Sequence, residues 1–337
     1  METLTIRKPD DMHVHLRWGD ILELVLPFTT RHFARAIVMP NLTSQGMVIN
    51  AKQVKIYQEF INLVIEIKQL DNFTPLMTIR LTPETSPEII KEAREAGAVA
   101  AKLYPEGVTT GAEKGITKID HLFPVFQAMQ ENGMILSVHA EKPGSPFLKA
   151  EEDYITVLDE IVAVCPSLRM VIEHVSTITM LHWVKQASEN VAATITPHHL
   201  VLNTDAVFGR PHNFCKPVAK SESDRRSLIQ TVISGHHKFF LGTDSAPHLQ
   251  KKKEGTKVAA GIFNAPLALA LLVEIFEENH ALDKLENFVS VFGAKFYGLP
   301  LNQETITLER NFWLVPEIYG QVVPFLAGQL MSWQVKP

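Results

Sequence analysis

Side chains that can hold a metal ion or move a proton recur where short apolar runs of this 337-residue chain end: His13, His15, Lys102, His139, His174 and Asp244. His13 and His15 stand two residues apart in Asp11-Met12-His13-Val14-His15-Leu16-Arg17. In a strand, residues two apart point to the same face, and this spacing lets two imidazoles hold one ion. An isolated His-x-His is more often a pair of partly buried structural histidines. A lone His174 or Asp244 is likewise more often a core or capping residue. Lys102 is the odd member, because an unpaired ammonium inside a fold is costly. The shared position of all six at strand ends makes coincidence a poor explanation.

The elements that must position them alternate regularly. Strand candidates are Met12–Arg17, Ala36–Asn41, Thr74–Leu81, Val99–Pro105, Met134–Glu141, Leu168–Val175, Val191–His199 and Phe239–His248. They are short, apolar and often rich in Val or Ile, as strands covered on both faces should be. Between them, Gln53–Leu70 places Val54, Tyr57, Ile61, Val64, Ile65 and Ile67 at mostly helical intervals. Ser86 as N-cap, Pro87 at the first helical position and Gly97 past the end bound another helix, and Gly133 closes a third. Eight strands separated by helices predict a single-domain (β/α)8 TIM barrel of α/β class, with its site where the strand ends converge. The competing architecture is an open doubly wound sheet, but no G-x-G-x-x-G follows the first strand, which counts against dinucleotide binding. One domain over residues 1–337 is expected, with the segment from about 299 flanking the barrel.

Composition narrows the classes. The chain is 46% hydrophobic and 20% charged with net charge -5, which suits a large globular core. No basic stripe appears, so no nucleic-acid partner is expected. Cys165 and Cys215 stand outside any C-x-x-C pattern, so neither a disulfide framework nor a cysteine zinc site is expected. The N-terminus has no apolar signal segment, and the longest strongly apolar stretch, Ala265 to Phe276, is too short to span a bilayer. The expectation is a cytoplasmic protein with no membrane partner. Oligomeric state is not fixed by the pattern, a homodimer being one option.

Longer words in the sequence carry a resemblance. Asp10-Asp11-Met12-His13-Val14-His15-Leu16-Arg17, Val38-Met39-Pro40-Asn41, Ala101-Lys102-Leu103-Tyr104-Pro105 and Gly242-Thr243-Asp244-Ser245-Ala246-Pro247-His248 resemble the compact, bacterial-type (class II) dihydroorotases of the amidohydrolase superfamily. So do Phe263-Asn264-Ala265-Pro266 and Val323-Pro324-Phe325-Leu326-Ala327-Gly328, so the resemblance runs over almost the whole chain. His13 lies too near the N-terminus for the preceding β-sandwich segment of hydantoinases and larger dihydroorotases. The resemblance implies two Zn2+ ions bridged by a carboxylated Lys102. His13, His15, Lys102 and Asp244 would hold one, and Lys102, His139 and His174 the other. Nitrogen and oxygen ligands without thiolate suit zinc, with manganese or cobalt as substitutes. Two zinc ions outweigh the carbamate, Asp244 and a bridging hydroxide by one positive charge, which attracts an anionic substrate. The implied reaction is the reversible cyclisation of N-carbamoyl-L-aspartate to L-dihydroorotate in pyrimidine synthesis. A metal-activated hydroxide attacks the cyclic amide in reverse, with Asp244 as general base and then acid.

For the substrate, the resemblance implies contacts from His15, Arg17, Asn41, Thr109, Thr110, His139, Lys216, His248 and Ala260. Arg17, Asn41 and His248 would hold the carboxylate, for which a guanidinium supplies two parallel bonds. Pro105–Gly115 reads as a glycine-rich loop and, by resemblance, as a lid carrying Thr109 and Thr110. Lys216 departs from the aliphatic residue of the family, while the contacts at 216 and 260 would be made by main chain. His198 and His199 look like a metal pair, but adjacent strand residues face opposite ways, so a supporting role is expected. Two other functions compete: a hydantoinase- or dihydropyrimidinase-like cyclic amidase, disfavoured by Arg17, Asn41 and His248, and a non-catalytic barrel scaffold, disfavoured by the complete ligand set.

Overall fold

The structure is a computed structural model that describes residues 2–42, 46–70, 72–112 and 115–336. β1 (Thr3–Arg7) precedes eight parallel strands: β2 (Asp10–Val14), β3 (Arg35–Val38), β4 (Thr74–Arg80), β5 (Ala100–Leu103), β6 (Ile135–Val138), β7 (Met170–Ile172), β8 (Val191–Ile195) and β9 (Phe239–Leu241). They pair in chain order into one eight-stranded sheet. The sheet closes on itself where the Asp244 amide donates to His13 O at 2.8 Å and the His15 amide to Ser245 O at 3.0 Å. The closing seam is therefore built from the main chain of the very residues expected to hold metal.

Almost every residue of these strands is buried, as a parallel sheet sheathed by helices requires. Met12, Ile37, Ala100, Ile135, Val171, Ala192 and Phe240 fill the barrel floor, sealed from below by Ala294 and Tyr297 of the helix Phe292–Tyr297. Local chemistry sets the outer helices. Asn50 accepts from the Gln53 amide to start Ala51–Ile67, and Ser86 accepts from the Ile89 amide to start Pro87–Glu95. Ala265–Phe276 falls largely in the buried helix Ala268–Glu278. Among the described residues, no helix is long and apolar enough to cross a membrane.

Two features differ from the sequence reading. The strands are shorter than expected: β7 and β9 are three residues each, because the chain turns out of the ladder at His174 (φ 44°) and Asp244 (φ 43°). Beyond residue 299, β10 (Thr305–Leu314) and β11 (Leu330–Val335) form an antiparallel sheet with β1, in which Thr3 pairs with Glu309. The eight-strand pattern contained no trace of β1.

Candidate active site

The first barrel strand does not extend to Arg17. β2 ends at Val14 and carries a bulge: Asp11 pairs with Ala36 but Val14 with Val38, so Met12 and His13 stand opposite Ile37 alone. A bulge re-aims side chains that simple alternation would send elsewhere. His13 and His15 nevertheless converge, with Nε2 of each at 3.3 and 3.4 Å from Asp244 Oδ1. The His13 ring centroid lies 5.2 Å from His174, and His174 lies 4.7 Å from His139. Lys102 rises from β5 into the same space, fully buried. Its Nζ and His174 Nδ1 have no hydrogen-bond partner among the described residues. Two buried donor atoms left without partners are expected where an absent ligand completes the site.

A layer of polar groups under these residues fixes them. Glu173 accepts from His13 Nδ1 at 2.7 Å, from Thr194 Oγ1 at 2.7 Å and from Ser137 Oγ at 2.5 Å. Glu141 holds His139 Nε2 at 2.8 Å. Asp11 accepts from the amides of His13 and Thr243 and from Thr243 Oγ1, bracing the seam. Such carboxylate–imidazole pairs orient a metal ligand and set its tautomer. Sequence reasoning passed over all three acids. Their signal was there: each stands two residues from a site histidine or directly beside one, at or near the end of an apolar run.

Burial and charge act against each other here. Burial pushes the Glu173 carboxyl up, but His13 and Lys102 hold it below its ordinary value. Burial lowers the Lys102 amine to about 8. Burial and then Arg17 lower His15 to about 3, leaving a neutral imidazole. Burial would raise Asp244, yet hydrogen bonds from His13 and His15 keep it well below the carboxylate range.

Above this floor lies a small cavity lined by His13, His15, Arg17, Asn41, Tyr104, Thr109, Thr110, His139, His174, Lys216, Asp244, Ala246, Ala260 and Gly261. Arg17 follows the strand in a left-handed conformation (φ 64°) rather than by strand alternation. Its Nε donates to Pro247 O at 3.1 Å and its Nη1 to Asn41 O at 3.3 Å, while Nη2 sits 3.1 Å from His248 Nε2. No carboxylate among the described residues pairs with it. His248 Nε2 is also 3.0 Å from Ala260 O, so the neutral ring serves Arg17 or Ala260 but not both at once.

Asn41 Nδ2 donates to Thr110 O at 2.9 Å and the Ala260 amide to Thr110 Oγ1 at 3.0 Å, drawing the 105–112 loop over the site. Glu113 and Lys114 of that loop lie outside the described residues. The Lys216 ammonium turns away, 3.6 Å from the Phe147 ring centroid. His198 and His199 are on the helix Pro197–Val201 and not on a strand, because Thr196 caps that helix by accepting from the His199 amide. His199 is bonded through Thr196 Oγ1 and Pro217 O, and His198 Nδ1 accepts from Asn264. Both cysteines are free.

A parallel eight-stranded barrel with a histidine, lysine and aspartate cluster at its C-terminal mouth defines a class, and the comparisons agree with it. The model of the amidohydrolase family matches residues 10–316. A dihydroorotase of Shewanella frigidimarina is 45% identical over all of this chain and 99% of its own. The dihydroorotase of Saccharomyces cerevisiae, solved with 5-fluoroorotic acid, superposes with TM-score 0.92 at 32% identity, covering 100% of this chain and 99% of that one. The Campylobacter jejuni dihydroorotase gives 0.91 at 34%, covering 99% and 98%. The chain belongs to the amidohydrolase family and, within it, to the dihydroorotases.

Proposed function

We propose that this chain is a cytoplasmic, zinc-dependent dihydroorotase that interconverts N-carbamoyl-L-aspartate and L-dihydroorotate. The observation that carries the reading is Arg17, a guanidinium 4% exposed with no carboxylate in ion-pair contact among the described residues, set beside the histidine–aspartate cluster. Burial lowers it to about 10, still charged at neutral pH. A ring bearing a carboxylate supplies the missing anion; dihydrouracil and hydantoin do not.

His13, His15, Lys102 and Asp244 would hold one zinc ion, and Lys102, His139 and His174 the other, with Lys102 carboxylated as the bridge. The partnerless Nζ of Lys102 and Nδ1 of His174 support that donor set, and nitrogen and oxygen donors suit zinc. When bound, the two ions supply an activated water and polarise the ring amide carbonyl. Asp244 takes the proton of the attacking water and returns it to the leaving ring nitrogen, general base turned general acid. Arg17, Asn41 and His248 hold the carboxylate. The main chain at Lys216 and Ala260 brackets the ring. Thr109 and Thr110 close over it and exclude water.

Purified protein assayed in both directions, with metal measured on the same sample, tests this. Turnover of dihydroorotate and carbamoyl-aspartate with about two zinc ions per chain is expected. Full activity in protein stripped of metal would contradict it.

A further inference from the structure

Lys253 ends the short helix Gln250–Lys253 and is 3% exposed. Its Nζ donates to Phe214 O at 2.8 Å, Ala259 O at 3.0 Å and Gly261 O at 2.7 Å. An ammonium has three donors and no acceptor, so all its bonding capacity is spent on main chain. Those carbonyls belong to two separate strips, 214–216 and 259–261. The strips also touch directly, the Gly261 amide donating to Phe214 O at 3.0 Å. Lys216 from one, and Ala260 and Gly261 from the other, line the active-site cavity. The second strip runs tight against the barrel: a Cβ on Gly261 would meet Ala246 O at 2.5 Å. Ala260 in turn reaches the lid through Thr110 and the carboxylate clamp through His248. Without the ammonium, Ala259 O and Gly261 O would lose a buried donor.

We propose that Lys253 is a positioning residue for the reaction: beside the direct Gly261–Phe214 bond, its ammonium ties together the main-chain strips at Lys216 and Ala260 and sets the gap between them. The identity of the ring held in that gap rests on the dihydroorotase reading; the tie itself does not. Lys253 touches neither the metal-ligand cluster nor the lid. It acts on how the substrate is held, through two strips that its ammonium braces beside the one direct amide bond between them.

The test compares Lys253→Met, which keeps length and removes the donors, with Lys253→Arg, which keeps charge and several donors. Kinetics on dihydroorotate are read with metal content and amide hydrogen exchange. Expected for Lys253→Met are retained metal, a KM for dihydroorotate raised by about tenfold or more, and kcat within about threefold, each power of ten being ~1.4 kcal/mol. Amides at 260 and 261 should exchange faster while those of β5 and β6 do not, and Lys253→Arg should recover much of the KM. A lysine that is merely structural would lower the melting temperature and leave KM and exchange in the two strips unchanged, which overturns the proposal. Should Lys253→Met fail to fold, exchange in Lys253→Arg decides: faster exchange confined to the two strips supports the tie, and uniform or unchanged exchange overturns it. If the unmodified protein does not turn over dihydroorotate while exchange still loosens only the two strips, the dihydroorotase reading fails and the tie stands.

Discussion

Lys102 and Arg17 pose the same problem, a cation taken out of water with no carboxylate in ion-pair contact among the described residues, and resolve it in opposite ways. Burial lowers the Lys102 amine to about 8, so a neutral fraction is available near neutral pH, the form that takes up carbon dioxide to become an anionic bridge. Lys102→Ala is expected to lose activity and at least one metal ion, with part of the activity restored by a short carboxylic acid. Full metal content and full turnover in that variant would remove the bridging role. Arg17 keeps its charge for the substrate. A charge-assisted hydrogen bond contributes ~1.5–3 kcal/mol, and tenfold in rate is ~1.4 kcal/mol. Arg17→Met should therefore lower kcat/KM on dihydroorotate by roughly ten- to a hundredfold or more. Metal content should stay, because Arg17 is not a ligand, and any slow turnover of dihydrouracil should barely change. Both residues stood out in the sequence by type. What hid the geometry was backbone: Arg17, His174 and Asp244 all adopt positive φ, a conformation that costs a non-glycine residue of order 1–3 kcal/mol and collects at functional sites.

At the scale of elements, the seam between β2 and β9 controls the site. A Cβ on Gly242 would come 2.8 Å from the Cβ atoms of His13 and Thr194. Gly242→Ala must shift His13 or Thr194, which holds Glu173 beneath His13, and overpacking of this kind costs typically ~1–3 kcal/mol. A lower melting temperature and a loss of activity larger than the stability loss explains are expected, measured at a temperature where the variant is folded. Glu151 gives a pH-dependent check on the loops beyond β6 and β7. It accepts from the Ser176 amide at 2.9 Å, and burial raises it to about 7. A carboxyl raised in the folded state contributes most below its ordinary value, near 4.5, and loses that contribution as pH climbs towards 7. The melting temperature of Glu151→Gln relative to the unmodified protein should therefore improve from pH 5 to pH 8; an unchanged difference would contradict the assignment. The helices were legible because their caps are local, as Ser86, Pro87 and Gly97 illustrate. The β2 bulge was not, since two residues against one is a property of the pairing with β3. The helix carrying His198 and His199 was hidden for a related reason: Val191–His199 reads as one apolar run until Thr196 and Pro197 are recognised as a helix start.

For the whole molecule, the barrel and the ligand cluster were readable because a short, continuously apolar strand with a ligand-type residue towards its end recurs at five strands. The sheet of β1, β10 and β11 was unreadable because its pairing joins the two ends of the chain, Thr3 to Glu309, with no local signal. The site also ties metal to stability: His13, His15, Lys102, His139, His174 and Asp244 are all buried. A ligand that binds only the folded state at a hundred times its Kd stabilises by ~2.7 kcal/mol, so chelation should lower the melting temperature by several degrees and added zinc should restore it. A melting temperature unaffected by chelation would mean that no ion joins these strand ends. The central claim is that a carboxylate-bearing cyclic amide is the substrate of a metal centre at the barrel mouth. The most direct test is the ratio of kcat/KM for dihydroorotate to that for dihydrouracil on zinc-loaded protein. Dihydroorotate should be favoured by roughly tenfold to a hundredfold or more, the worth of the Arg17 contact. Equal rates, or a preference for the uncharged ring, would contradict it and leave a hydantoinase-like enzyme on the same barrel.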